Sequence, residues 1–141
     1  MRKGFSLLTA IIFLVLIATI SAISISLSTQ SVKQTSDMYL KAQAQLLLRS
    51  GTEFAMLALS GHNYSTNCLE KIDMTYNNML DINVSIDYIG SGLPCNSSHI
   101  LDNNISTDDS NRTVIIDTIV TTKPDVATEP IRLHRRTIQK P

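Results

Sequence analysis

The sequence predicts an α+β chain: a long amino-terminal helix spans a membrane with its first half and packs its second half on a small antiparallel β-sheet. Three observations carry that expectation. From Phe5 to Ser24 no residue is charged and none is proline or glycine. Apolar residues then recur at three- and four-residue steps as far as Leu59, shortly before Gly61. Beyond residue 70 the recurrence changes to every second residue, in runs divided by Gly- and Pro-containing segments.

The first element begins Met1-Arg2-Lys3-Gly4-Phe5-Ser6-Leu7-Leu8-Thr9-Ala10. Arg2 and Lys3 hold this end at the cytoplasmic face by the positive-inside bias, and the apolar run enters the bilayer behind them. About 20 helical residues at roughly 1.5 Å each match the hydrocarbon core. Thr9, Thr19, Ser21 and Ser24 are tolerable there because their hydroxyls can bond back to carbonyls of the preceding turn. A cleaved secretory signal would want a shorter apolar core followed by a small-x-small site. Ser21-Ala22-Ile23 and Ala18-Thr19-Ile20 are poor versions of such a site. A plain uncleaved anchor is the other rival.

Polarity rises through Ser26-Leu27-Ser28-Thr29-Gln30-Ser31 without a turn signal, so the helix is expected to leave the membrane unbroken. Val32, Tyr39, Leu40, Gln43, Leu46, Leu47, Phe54 and Leu57 then form the stripe expected to face a core. Phe54 to Leu59 is apolar all round and is expected to be buried on most sides. Gly51 is a mild weak point inside the helix, with a contact role as the unsupported alternative, and Gly61 stands where a left-handed cap is wanted. The whole helix, from Phe5 to Leu59, would be about 80 Å long.

Strands follow. Ile72, Met74 and Tyr76 alternate in one, and Ile82, Val84, Ile86 and Tyr88 in a clearer second. Gly90-Ser91-Gly92-Leu93-Pro94 is a turn and loop, and a long polar loop is expected from Cys95 to Asn111. Residues 113–120 read as a central strand and residues 131–138 as a last one between Pro130 and Pro141. Three or four antiparallel strands of this size need a helix cover to be stable.

The chain has room for one membrane helix and one small domain. Its twelve Lys and Arg balance twelve Asp and Glu, so it is not a generically basic nucleic-acid binder. No glycine-rich phosphate loop is visible, and no cofactor is expected. Cys68 and Cys95 flank the first two strands; in an oxidising compartment they should pair, closing a loop of about 27 residues. A metal reading would use Cys68, Cys95 and His99 with His62, at a spacing that fits no familiar zinc pattern. Oxygen side chains at positions 102, 104, 106 and 108 could wrap calcium, but the EF-hand's central Gly and distal Glu are missing, and a solvated loop explains them as well. Asn63, Asn83, Asn96, Asn104 and Asn111 begin Asn-x-Ser/Thr sequons, with Asp two residues before Asn83, Asn104 and Asn111. Arg132, His134, Arg135, Arg136 and Lys140 make the end basic, as a charged edge strand that discourages aggregation. A nucleic-acid contact along that strip is the sharper alternative, with no interleaved aromatics to stack bases.

Lys3-Gly4-Phe5-Ser6-Leu7-Leu8 resembles the amino-terminal signal of type IV prepilins and type II secretion pseudopilins: a short basic leader, Gly, then Phe and an apolar helix. The resemblance is specific over about the first 25 residues and architectural beyond them. It implies cleavage between Gly4 and Phe5 by a membrane prepilin peptidase and N-methylation of Phe5. The family's fifth mature residue is usually Glu; Thr9 stands there. The implied organisation is a leader at 1–4, a transmembrane and assembly helix at 5–28, the extracytoplasmic half of the helix at 29–61 and a β-sheet head at 62–141. Removal of Arg2 and Lys3 would leave a mildly acidic mature chain. The implied role is structural and not enzymatic: a minor pilin or pseudopilin in the bacterial inner membrane, its head in the periplasm or on a filament. Its partners would be other pilin subunits, the peptidase, the inner-membrane assembly platform and membrane lipid. A single-pass anchored adhesin or DNA-uptake receptor is the alternative.

Overall fold

The computed structural model describes residues 3–105 and 112–141. Its elements are one α-helix, α1 (Lys3–Ser60), and five strands: β1 (Lys71–Tyr76), β2 (Leu80–Ile89), β3 (Ile100–Asp102), β4 (Thr113–Thr122) and β5 (Arg132–Gln139). The chain divides into two units, Met1–Met38 and Tyr39–Pro141.

The first unit is helix throughout its described length. Its large apolar side chains, from Leu7 to Val32, are exposed. This is the one helix among the described residues long and apolar enough to be a candidate membrane span. The hydroxyls that a bilayer would leave stranded are satisfied within the helix. Thr19 Oγ1 donates to Leu16 O at 2.8 Å, Ser21 Oγ to Ile17 O at 2.8 Å and Ser24 Oγ to Ile20 O at 3.0 Å.

In the second unit the sheet order is β1-β2-β4-β5, with antiparallel neighbours, and β3 lies beside the end of β2. The β1–β2 connection turns through Asn77 and Asn78, both in the left-handed region at φ 48° and 57°, where Asn is the best-tolerated side chain after glycine. Alternation is clean in β2 and β4: Leu80, Ile82, Val84, Ile86 and Tyr88 are buried, as are Val114, Ile116, Thr118 and Val120. These residues form one core with Ala44, Ala55 and Leu59 of the helix.

Four expectations are corrected. The helix face that enters the core is Leu40, Ala44, Gly51, Thr52, Ala55 and Leu59. Of the predicted stripe only Leu40 is buried and Leu47 and Gln43 half-buried; Val32, Tyr39, Leu46, Phe54 and Leu57 are exposed. The reason is steric: small residues let the helix backbone approach the sheet, whereas a face of large residues would hold it away. The segment from Phe54 to Leu59 is therefore two-sided, with Ala55 and Leu59 inside and Phe54 and Leu57 outside. Gly61 does not adopt the left-handed conformation; it donates to Leu57 O at 3.2 Å and His62 N to Leu59 O at 3.2 Å, so the helix simply tightens and ends. Finally, the polar loop after Cys95 is broken by a 3₁₀ turn (Ser97–His99) and by β3, which pairs parallel to β2.

Candidate functional site

At Gly51 the helix backbone comes close to the sheet. A Cβ placed on Gly51 would stand 3.1 Å from Ile82 Cγ2 and 3.2 Å from Thr118 Cγ2. Beside it, the hydroxyls of Thr52 and Thr118 share a buried hydrogen bond of 3.0 Å, and Thr52 Oγ1 also donates to Leu48 O. A polar pair inside an apolar core is costly unless bonded, so it fixes the rotation of the helix over β4.

That rotation leaves a second face of the helix outside. Tyr39 is 63% exposed, Leu46 67%, Phe54 48% and Leu57 70%. At about 100° per residue this set lies roughly 145° round the helix from the buried one. Gln43 belongs to the same side and donates to Tyr39 Oη at 2.7 Å. The exposed set lines one side of the helix at steps of seven, eight and three residues, with Gln43 and Ser50 among it.

Cys68 and Cys95 are joined by a disulfide, their Cα atoms 4.8 Å apart. The bond excludes their thiolates from any metal set, and no group of three metal-ligating side chains occurs among the described residues. Around the disulfide, His99 Nδ1 lies 3.0 Å from Asp87 Oδ1 and 3.1 Å from Ile86 O, and Asn96 N donates to Glu70 Oε1 at 2.8 Å. The disulfide loop is thus pinned to β2 at several points.

A cleft of about 280 Å³ lies at the end of the helix, among Leu59, His62, Tyr64, Tyr88, Leu93 and Arg112. Tyr88 Oη donates to Leu69 O at 2.7 Å and Tyr64 Oη to Leu59 O at 3.2 Å, so both phenolic protons are already committed. Burial, reinforced by the neighbouring Tyr64, pushes the Tyr88 phenol well above its ordinary pKa.

On the sheet face away from the helix, Asp117 accepts from Arg136 Nε at 2.8 and 2.9 Å, from Arg136 Nη2, and lies 2.8 Å from His134 Nε2. The Arg136 hydrogen bonds hold the Asp117 carboxyl below its ordinary pKa, against the opposing effect of burial and with help from His134.

The sequence-predicted site residues fall as follows. Gly4 and Phe5 lie in the first turns of α1, and the side chain of Phe5 is outside the described part. Thr9 is helical and half-buried. Cys68 and Cys95 are brought together. Of the alternating oxygens, Asp102 Oδ1 accepts from Asn104 N at 2.8 Å, while positions 106 and 108 lie outside the described residues, as does Asn111. Asn63, Asn83, Asn96 and Asn104 are exposed. Sequence reasoning took Gly51 for a mild weak point and left a contact role open without support, although a glycine at a seven-residue step from Ala44 was a usable signal for it. It missed the Asp117–Arg136 pair, which needs strand register to be seen. The chain matches no family model, no curated protein and no solved structure.

Proposed function

We propose that this chain is a structural subunit, a minor pilin or pseudopilin held in the bacterial inner membrane by α1, which assembles with similar subunits through the helix. The observation that carries the reading is the second apolar face at Tyr39, Leu46, Phe54 and Leu57, which the chain's own sheet leaves bare. A monomeric helix-on-sheet head needs only one apolar face; a second one at helical spacing suits packing against other helices. The α+β arrangement, the candidate span and the disulfide accord with it, as does the Lys3-Gly4-Phe5 start.

Processing tests it. Co-expression with a prepilin peptidase should yield a chain lighter by residues 1–4 with a methylated Phe5. Gly4→Leu should block cleavage, because the peptidase must approach backbone that has no side chain. A mass unchanged in both wild type and variant would remove the pilin-like reading and leave the plain anchor.

A further inference from the structure

β5 ends the sheet, and among the described residues no strand pairs with its outer side. The phase of its hydrogen bonding follows from a single contact. Thr122 N donates to Ile131 O at 3.0 Å, and this pair continues the register Thr121↔Arg132. In an antiparallel ladder, hydrogen-bonded pairs alternate with non-bonded ones. Leu133, Arg135, Thr137 and Gln139 therefore turn their backbone groups toward β4. Arg132, His134, Arg136 and Ile138 turn theirs toward the open edge. Their side chains share the face away from the helix, because their partners Thr121, Ile119, Asp117 and Ile115 alternate with buried Val120, Thr118 and Ile116.

The chemistry of this edge is one-sided. β5 carries three arginines and a histidine and no acid. Asp117 engages Arg136 and His134, which leaves Arg132 and Arg135 exposed without it. Ile138, next after Arg136 on the same face, is 66% exposed. Such an edge repels a second β5, since two of them would bring like charges face to face. The same charges favour a strand of opposite sign.

We propose that the open edge of β5 is a docking site for an extended acidic segment of another protein, which adds to the sheet as a further strand. Backbone bonds to Arg132, His134, Arg136 and Ile138 hold it. Acidic side chains on its outer face meet Arg132 and the His134–Arg136 pair, and an apolar residue covers Ile138. Pro130 and Pro141 bound the strand on both sides and confine pairing to this window. The proposal concerns the head alone and does not depend on whether the helix polymerises.

The test uses the full-length protein in detergent micelles. The probes are a fluorescent peptide of Glu and Val, the same length as β5, with Glu at the alternate positions that face Arg132, His134 and Arg136 and Val elsewhere, including opposite Ile138; its Lys–Val counterpart; and a Glu–Val version N-methylated at the alternate amides that face β5. The Glu–Val peptide should bind and slow hydrogen exchange at the amides of Arg132, His134, Arg136 and Ile138. Arg132→Glu, which alters no described contact, should weaken binding about tenfold. The N-methylated and Lys–Val peptides should bind far less. Equal binding of the N-methylated peptide would reduce the site to charge attraction and overturn the proposal, as would equal binding of the Lys–Val peptide or no binding at all. Protection of the same amides by concentration-dependent self-association would also overturn it, by making a second copy the occupant.

Discussion

At the scale of single residues, Gly51 inside the helix and Gly61 just after it behave in opposite ways, and both lead to measurable expectations. A Cβ at Gly51 meets methyl groups of Ile82 and Thr118 at the limit of tolerable contact. Gly51→Ala gains helix propensity of about 0.5–1 kcal/mol and loses a similar amount to crowding, so it should be nearly neutral. Gly51→Leu has nowhere to place its side chain and should cost about 1–3 kcal/mol or more. Gly61→Ala meets only Leu57 O and Ala58 O at ordinary distance, with no left-handed backbone to strain, and should be neutral or stabilising by a few tenths of a kcal/mol. Denaturant unfolding followed by tyrosine fluorescence, in a chain without Trp, ranks the three; a large loss in Gly61→Ala would reinstate the cap. Asp117 sets a pH dependence. Its folded carboxyl titrates below its unfolded value because of Arg136 and His134. The contribution to stability is therefore complete above the unfolded value, about pH 3.9, and is lost as pH falls through the lowered folded value. The stability gap between wild type and Asp117→Asn should be constant near neutrality and close below about pH 4. A gap that persists at low pH would show that Asp117 acts by packing rather than by charge.

At the scale of elements, the disulfide is the tie that holds β1, β2 and the loop beyond as one block. It closes a span of 27 residues. Replacing either Cys68 or Cys95 by Ala should cost about 2–5 kcal/mol. Two freely alkylated thiols in exported protein would show instead that the head is stable without the bond. The elements also show what could be read from the sequence. β2 and β4 were legible because alternate Ile, Val and Leu gave an unambiguous period. The helix was legible as a helix, but its inner face was not. Ala44, Gly51, Thr52 and Ala55 carry almost no hydrophobic signal, so the larger Tyr39, Leu46, Phe54 and Leu57 drew the prediction onto the wrong side. That displacement has a physical basis: the periodic stripe in the sequence is real, but the chain's own sheet leaves it exposed. β3 was missed because three residues are too few to show alternation, and the Asn77–Asn78 turn because two consecutive left-handed asparagines give a weaker signal than Asn-Gly.

At the scale of the whole molecule, Thr9 bears on where such a subunit would stand in a filament. In the family that the amino terminus resembles, the fifth mature residue is usually Glu, and its carboxylate neutralises the amino-terminal amine of a neighbouring subunit. A carboxylate within the bilayer costs roughly 3 kcal/mol on insertion scales, so it persists only where a partner charge compensates it. Thr9 is neutral, helical and half-buried, and it offers no charge to a neighbour's amine. A subunit at the distal tip has no subunit above it, which makes the tip the one position where that carboxylate has no partner to meet. The prediction is that this protein initiates or caps a filament in low copy, and that Thr9→Glu changes its own incorporation little. A subunit within the shaft would instead gain from Thr9→Glu, because every neighbour there presents an amine. Immunogold labelling of sheared filaments separates the two placements: label confined to ends accords with the tip, whereas regular label along the shaft, or a marked rise in incorporation of Thr9→Glu, rules it out.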